Sequence, residues 1–258
     1  MKKLAIILCS AALVCSCSLL QNIQWDSDAL TNAAGMALSA ASISDAQVIA
    51  LSQQTVSQLD AQNTIDNGSY QKRLAKLLKG VTDINGLSIN YKVYKTSEVN
   101  AFACGDGSIR VYSGLMDVMT DEEIVAILGH ECGHVAHQDT KKAMRQAYLA
   151  SAARGLLSAA GGTTIATLSA SALGDLGESY ISSQYSQKQE YAADEYGFQF
   201  AIDQGYSPYS MYNALAKLVK LNGSSQASAV QKMFASHPDS EARASKALAM
   251  AESYNASK

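Results

Sequence analysis

Residues 127–137 read Ile-Leu-Gly-His-Glu-Cys-Gly-His-Val-Ala-His, a stretch that contains the pattern His-Glu-x-x-His. His130 and His134 are four positions apart, so on an α-helix they lie one above the other on the same face. Two imidazoles at this spacing can bind one metal ion, and Glu131 is placed to act as general base toward a water molecule. The stretch predicts a metallohydrolase centre if the chain also supplies a helix start and a third ligand.

The helix start lies just upstream, where residues 120–123 read Thr-Asp-Glu-Glu. Thr120 and Glu123 form a capping box, and the acidic residues in the first turn interact favourably with the positive end of the helix dipole. Apolar residues follow with helical spacing. We therefore expect the motif on a helix that begins near residue 121 and continues to about Tyr148.

A catalytic zinc keeps three protein ligands and leaves a fourth position for water. One class of zinc peptidase would need a Gly at position 137 and a His at position 140. Those positions hold His137 and Thr140, which excludes that class. His137 is then expected in the surroundings of the site or at the surface.

The alternative third ligand is a glutamate on a later helix, and residues 190–194 read Glu-Tyr-Ala-Ala-Asp. We expect Glu190 to complete a site for one Zn²⁺ per chain with His130 and His134. Asp194 lies on the same helix face and would accept a hydrogen bond from a ligand imidazole. His237, in Ser-His-Pro, is a candidate donor to the oxyanion of a tetrahedral intermediate, or a histidine at a helix start.

The N-terminus is typical of a processing signal. A basic start is followed by an apolar run from Leu4 to Val14, which is too short to span a bilayer. Residues 14–17 read Val-Cys-Ser-Cys, which resembles a bacterial lipoprotein box with Cys17 as the lipidated residue. We expect a signal peptide at 1–16 and a lipid-anchored tether at 17–43; the alternative is a plain secretory signal cleaved nearby.

Two cysteines remain outside the signal region, Cys104 and Cys132. Disulfides persist in the oxidising compartment that export implies, so a Cys104–Cys132 bridge could tie another segment to the metal-binding helix. Free cysteines are also among the most buried residues. The sequence is compatible with a disulfide between the two cysteines and with two buried free thiols.

The 258 residues have 48% hydrophobic and 17% charged residues, as expected of a folded protein. The formal net charge of −3 gives no reason to expect nucleic acid as a partner. Period-two alternation predicts a strand at 87–94. Two further strands are predicted at 99–104 and 108–112, on either side of Gly-Asp-Gly at 105–107, which is a tight hairpin signal. Together the three strands make a small antiparallel sheet. Helices are predicted at 45–61, 70–78, 182–203, 207–221 and 239–254. The uncharged stretch 155–174 favours a small-residue hairpin or a flap near the site, with a membrane-surface role as the minor alternative.

These motifs, in this order and spacing, resemble the M48 metallopeptidases over about residues 65–250. The resemblance rests on the two motifs above, on Asn-Ala-Phe-Ala at 100–103, and on His237-Pro with Arg243 five residues after the proline. It implies an α+β, mostly helical, zincin-like domain at 44–258, with its small sheet packed on the metal-binding helix.

The resemblance also implies roles for the remaining residues. Asn100, Ala101, Phe102 and Ala103 would form the edge strand that binds extended substrate, and Arg243 would orient the site, for example through Asp194. The family's single-domain outer-membrane lipoprotein peptidases are the most similar in layout. That likeness implies a periplasmic protein anchored by lipid to the outer membrane of a Gram-negative bacterium. Ser18, the residue after Cys17, favours the same location by resemblance to Gram-negative lipoproteins.

The sequence therefore predicts a zinc endopeptidase that hydrolyses misfolded or unassembled envelope proteins. The alternative function is a periplasmic chaperone or outer-membrane assembly factor that uses the peptidase fold with little turnover. Expected partners are polypeptide substrates, the membrane through the lipid anchor, and an envelope protease or assembly machinery.

Overall fold

A computed structural model describes residues 44–153 and 169–258. The expected signal and tether, and most of the uncharged stretch 155–174, lie outside these ranges. The described helices are α1 (Asp45–Gln62), α2 (Ser69–Leu77), α3 (Ser113–Val118), α4 (Asp121–Ala136), α5 (Asp139–Ala153), α6 (Ala170–Ile181), α7 (Gln187–Asp203), α8 (Ser210–Asn222), α9 (Ala227–Ser236) and α10 (Ser240–Ala256). The strands are β1 (Ile65–Asp66), β2 (Asp83–Ile84), β3 (Leu87–Ser88), β4 (Asn90–Tyr94), β5 (Ala101–Ala103) and β6 (Ser108–Tyr112).

The main sheet has the order β1-β4-β6-β5, and β2 and β3 form a separate hairpin. The mostly helical α+β class with a small sheet is confirmed. The sheet is mixed, however, because β4 and β6 are parallel while the other two pairs are antiparallel. A tight turn with Gly107 at φ 86° reverses the chain between β5 and β6. The link between β4 and β5 carries β5 one strand position away from β4, so β6 returns between them in the same direction as β4.

The predicted strand 87–94 is two strands. Its first two residues pair with β2 across a turn in which Asn85 and Gly86 have φ values of 52° and 81°. Positive φ at both central residues is the geometry that closes a tight hairpin. The remaining residues join the main sheet as β4.

The predicted helix through Tyr148 is wrong, because the chain breaks after Ala136. Gln138 has φ 59°, in the left-handed region, and a new helix starts at Asp139. Likewise α7 starts at Gln187 rather than 182, because Ser186 caps it in a capping box with Gln189. Helix α9 was not predicted, since its short apolar pattern lacks a side-chain cap.

Helix α4 runs through the centre of the domain and is buried from Glu123 to Val135. It packs very closely on α7. A Cβ atom added to Gly129 would lie 2.9 Å from the Cα of Gly197, and one added to Gly133 would lie 3.0 Å from the Cα of Ala193. This approach of two backbones carries the histidines of α4 to the first turns of α7.

The main sheet also contacts α1, through a hydrogen-bonded cluster around Asp60. The Asp60 carboxylate accepts from Arg110 Nε at 2.7 Å and from the Tyr94 hydroxyl at 2.7 Å.

Among the described helices, none combines the length and apolar character needed to cross a membrane.

Candidate active site

The three predicted ligands meet where α4 faces the start of α7. His130 Nε2 lies 3.1 Å from His134 Nε2, and Glu190 Oε1 lies 3.4 Å from His134 Nε2. All three residues are buried. Together with His237, they present atoms within 4.8 Å of one another that could bind one metal ion. The capping box at Thr120 is present, so the local signals that place the motif on a helix are confirmed.

His130 is oriented by an ion pair that is itself buried. Its Nδ1 lies 2.9 Å from Asp194 Oδ1, and Arg243 donates to both oxygens of Asp194, at 2.8 and 2.7 Å. Arg243 Nη1 also contacts Glu190 Oε2. Asp194 therefore lies beside a ligand imidazole, as its helix position predicts, and Arg243 contacts Asp194, as the family resemblance implies. The Arg243 guanidinium also joins Asp194 to Glu190, the expected third ligand.

His134 has two neighbours that were not predicted. Its Nδ1 lies 3.4 Å from Asp139 Oδ2, and its ring stacks on Tyr185 with 3.9 Å between centroids. Asp139 was missed because an unbroken helix would carry it away from His134. Tyr185 was missed because it lies in a link between helices, where no periodic pattern marks it.

His237 lies between Glu131, the expected general base, and Glu190, the expected third ligand. Its Nδ1 is 3.0 Å from Glu190 Oε1, and its Nε2 is 3.6 Å from Glu131 Oε1. Its role toward an oxyanion stays a prediction. His137, by contrast, is exposed just after the end of α4, so the structure has it at the surface.

Burial and neighbouring charges shift the acidities in different directions. Burial lowers the pKa of His130 to about 3, and the positive charge of Arg243 adds to this effect. Burial also opposes the charged form of His134, but hydrogen bonds to Asp139 and Glu190 prevail and raise its pKa to about 9.

The two carboxylates of the site also differ. Burial raises the pKa of Glu131 above its usual value, as a general base requires. Burial acts in the same direction on Glu190, but the charge of His237 and a hydrogen bond from His134 hold its pKa far below the usual range. Glu190 therefore stays ionised, as a metal ligand must.

The residues present fit a bound zinc ion. Two imidazoles and one carboxylate are the nitrogen and oxygen donors that catalytic zinc sites use. Glu131 is buried beside them, and its Oε1 atom has no hydrogen-bond partner within the described residues. A buried carboxylate oxygen without a partner is costly, so its position beside the donors favours a ligand there.

Strand β5 forms the edge of the main sheet next to the site. Asn100 O and Cys104 N bond to β6, so the backbone groups of Ala101 and Ala103 point away from the sheet. The Tyr180 hydroxyl donates to Ala103 O. Substrate binding by residues 100–103 stays a prediction, and any peptide pairing with β5 has to compete with Tyr180.

The possible Cys104–Cys132 disulfide is not formed. Both cysteines are buried free thiols, in agreement with the second interpretation. They belong to separate apolar clusters, one around α1, α5 and α6 and the other around α4 and the sheet. Cys132 is two positions from His130 and so faces roughly the opposite side of α4. Burial raises the pKa of Cys132 to about 12.

Comparison with known proteins agrees with this geometry. Residues 67–251 match the model of peptidase family M48. The chain is 45% identical over 222 residues to the metalloprotease LoiP of Escherichia coli K12, which covers 85% of this chain and 86% of LoiP. It is 40% identical over 247 residues to the metalloprotease YcaL of the same organism, which covers 94% of each chain. The protease HtpX of Legionella pneumophila strain Corby is 44% identical over 71 residues, a quarter of each chain. With its buried His-Glu-x-x-His motif at 130–134 and Glu190, this chain belongs to peptidase family M48 and is a metalloendopeptidase.

Proposed function

We propose that the protein is a zinc-dependent endopeptidase of the cell envelope, acting on misfolded or unassembled polypeptides. The observation that carries this proposal is the convergence of His130, His134 and Glu190 beside the buried Glu131. Zinc is the proposed ion because two imidazoles and a carboxylate leave a fourth position open for water.

The catalytic steps are assigned to zinc and to four residues of the chain. Zinc held at this site would supply Lewis-acid polarisation of the substrate carbonyl and would activate water. Glu131 takes the proton of the attacking water and delivers it to the leaving amine. His237 Nε2 faces the space beside Glu131 and donates to the oxyanion. Asp194 and Arg243 hold His130 and Glu190 in place.

Metal removal tests this proposal. Dialysis against a chelator is expected to abolish hydrolysis of an unfolded substrate such as casein, because His130, His134 and Glu190 then have no ion to hold. One equivalent of Zn²⁺ should restore hydrolysis, whereas Mg²⁺, which prefers oxygen ligands, should not. Undiminished hydrolysis by protein that contains no metal would overturn the proposal.

Substrate is proposed to add as a strand to the outer edge of β5. Backbone pairing at a sheet edge gives affinity with little sequence preference, which suits unfolded polypeptides as substrates. A small cavity next to this edge is lined by Phe102, Glu131, Tyr180 and His237, among others. A peptide bound along β5 would therefore pass directly beside the proposed base.

Removing the Tyr180 hydroxyl should increase turnover. Tyr180 occupies the Ala103 carbonyl that a substrate strand would use. Losing one such hydrogen bond, worth about 1 kcal/mol, should raise kcat/KM by about 2- to 10-fold in Tyr180→Phe. Tyr209→Phe, at the start of α8, serves as the control. A drop in kcat/KM for Tyr180→Phe alone would contradict this competition.

The proposed location is the periplasmic face of the outer membrane. Its support is the lipoprotein box that ends at Cys17. The change Cys17→Ser is expected to shift the protein from the membrane pellet to the soluble periplasmic fraction, as immunoblotting of cell fractions would reveal. An unchanged distribution would show that the protein is not anchored through a lipid on Cys17.

A further inference from the structure

We propose that Asp139 is a positioning residue that fixes the imidazole of His134, in parallel with the action of Asp194 on His130. This inference rests on the proposed zinc site. Asp139 is 2% exposed, and its Oδ2 lies 3.4 Å from His134 Nδ1. The ring nitrogen on the other side, Nε2, faces His130 and Glu190.

The break between α4 and α5 makes this contact possible. Asp139 is five residues after His134, which on a continuous helix would turn it about 140° away. Instead, Gln138 takes φ 59°, and the chain re-enters a helix at Asp139. A non-glycine residue in the left-handed region is strained, so the surrounding structure has to hold it there. The contact with His134 gives this strained position a function.

Asp139 is itself held by the helix that carries the third ligand. Its Oδ1 accepts from Gln189 Nε2 at 2.8 Å and from Lys142 Nζ at 3.2 Å. Gln189 Oε1 in turn accepts from the backbone and hydroxyl of Ser186, at 2.9 and 2.7 Å. One hydrogen-bonded chain thus runs from the cap of α7 through Asp139 to His134.

The consequence is a fixed ring orientation and tautomer. With the Nδ1–H of His134 donating to Asp139, the lone pair of Nε2 is directed at the metal position. The stacked ring of Tyr185 limits tilting of the imidazole but supplies no acceptor to Nδ1 in this arrangement. Without Asp139, the His134 imidazole would lose the group that selects its tautomer.

Zinc affinity tests this role, measured on the full-length protein by competition with a chromophoric chelator. Loss of an oriented partner of this kind typically weakens metal binding by about 10- to 100-fold, and this is the effect expected for Asp139→Ala. Asp139→Asn preserves shape and one acceptor, so a smaller loss is expected. The control is Asp121→Ala, since Asp121 is also an acid in a first helical turn paired with a cation, Arg73, but it does not contact a ligand.

The outcomes separate this inference from the proposed function. Weaker zinc binding in both Asp139 variants, with the affinity of Asp121→Ala unchanged, supports the positioning role. If Asp139→Ala fails to fold, the Asp139→Asn affinity decides. Wild-type affinity in a folded Asp139 variant would overturn the positioning role alone, whereas a wild-type protein that binds no zinc at this site would overturn the proposed function.

Discussion

Replacing Glu131 with Gln is expected to lower kcat/KM on an unfolded polypeptide by about 10²- to 10⁴-fold, the contribution typical of a general acid–base residue. Glutamine has nearly the same shape but cannot take a proton from water or return it to the leaving amine. Glu131 is buried, with Oε1 free of hydrogen-bond partners in the described part of the chain. The substitution therefore removes the proton acceptor while His130, His134 and Glu190 stay in place, so zinc content should not change.

The control is Glu122→Gln, the same chemical change in the first turn of the same helix. It should leave turnover and zinc content near those of the wild type. Unchanged turnover by zinc-loaded Glu131→Gln would remove Glu131 from the mechanism. The same variant addresses the alternative of a chaperone or assembly factor: full rescue of a deletion strain by Glu131→Gln would favour a binding role over cleavage.

Replacing Glu190 with Gln is expected to affect both metal binding and stability. The amide keeps the shape but loses the negative charge that faces both histidines, so zinc affinity should fall by more than about 100-fold, beyond the effect of losing an outer partner. Arg243, which is 2% exposed, would also lose one of its two carboxylates. Removing one partner of a buried ion pair typically costs about 3 kcal/mol. Chelator competition and denaturant unfolding measure the two effects.

The matched control is Glu195→Gln on the same helix. Glu195 pairs with Lys246 at 2.8 Å, and its side chain is 58% exposed. Exposed pairs of this kind contribute little, so both zinc affinity and stability should stay close to wild type. Wild-type zinc affinity in Glu190→Gln would show that the third ligand lies elsewhere.

The features that the sequence predicts correctly are local ones. The capping box at Thr120, the four-residue spacing of the histidines and the pair Glu190 and Asp194 all depend on helical periodicity within a few residues. For the same reason, the strand at 108–112 and the helix near 45–61 agree closely with β6 and α1.

The features that sequence reasoning misses depend on contacts between distant segments. Gln138 can leave the helix because Asp139 finds partners in His134 and Gln189, which no local pattern reveals. The parallel pairing of β4 with β6 likewise depends on β5 lying one strand position away from β4, which no local pattern reveals. The cysteines stay apart because each is buried in its own apolar cluster.

The most direct test of the proposed metal centre is an anomalous difference map at the zinc absorption edge, from crystals of the zinc-loaded protein. We expect one strong peak within about 2.2 Å of His130 Nε2, His134 Nε2 and a Glu190 oxygen, with one coordination position left for water. A peak bound by other side chains would contradict this expectation. So would a peak at the predicted place with His237 as a permanent fourth ligand, because the site would then be closed to water.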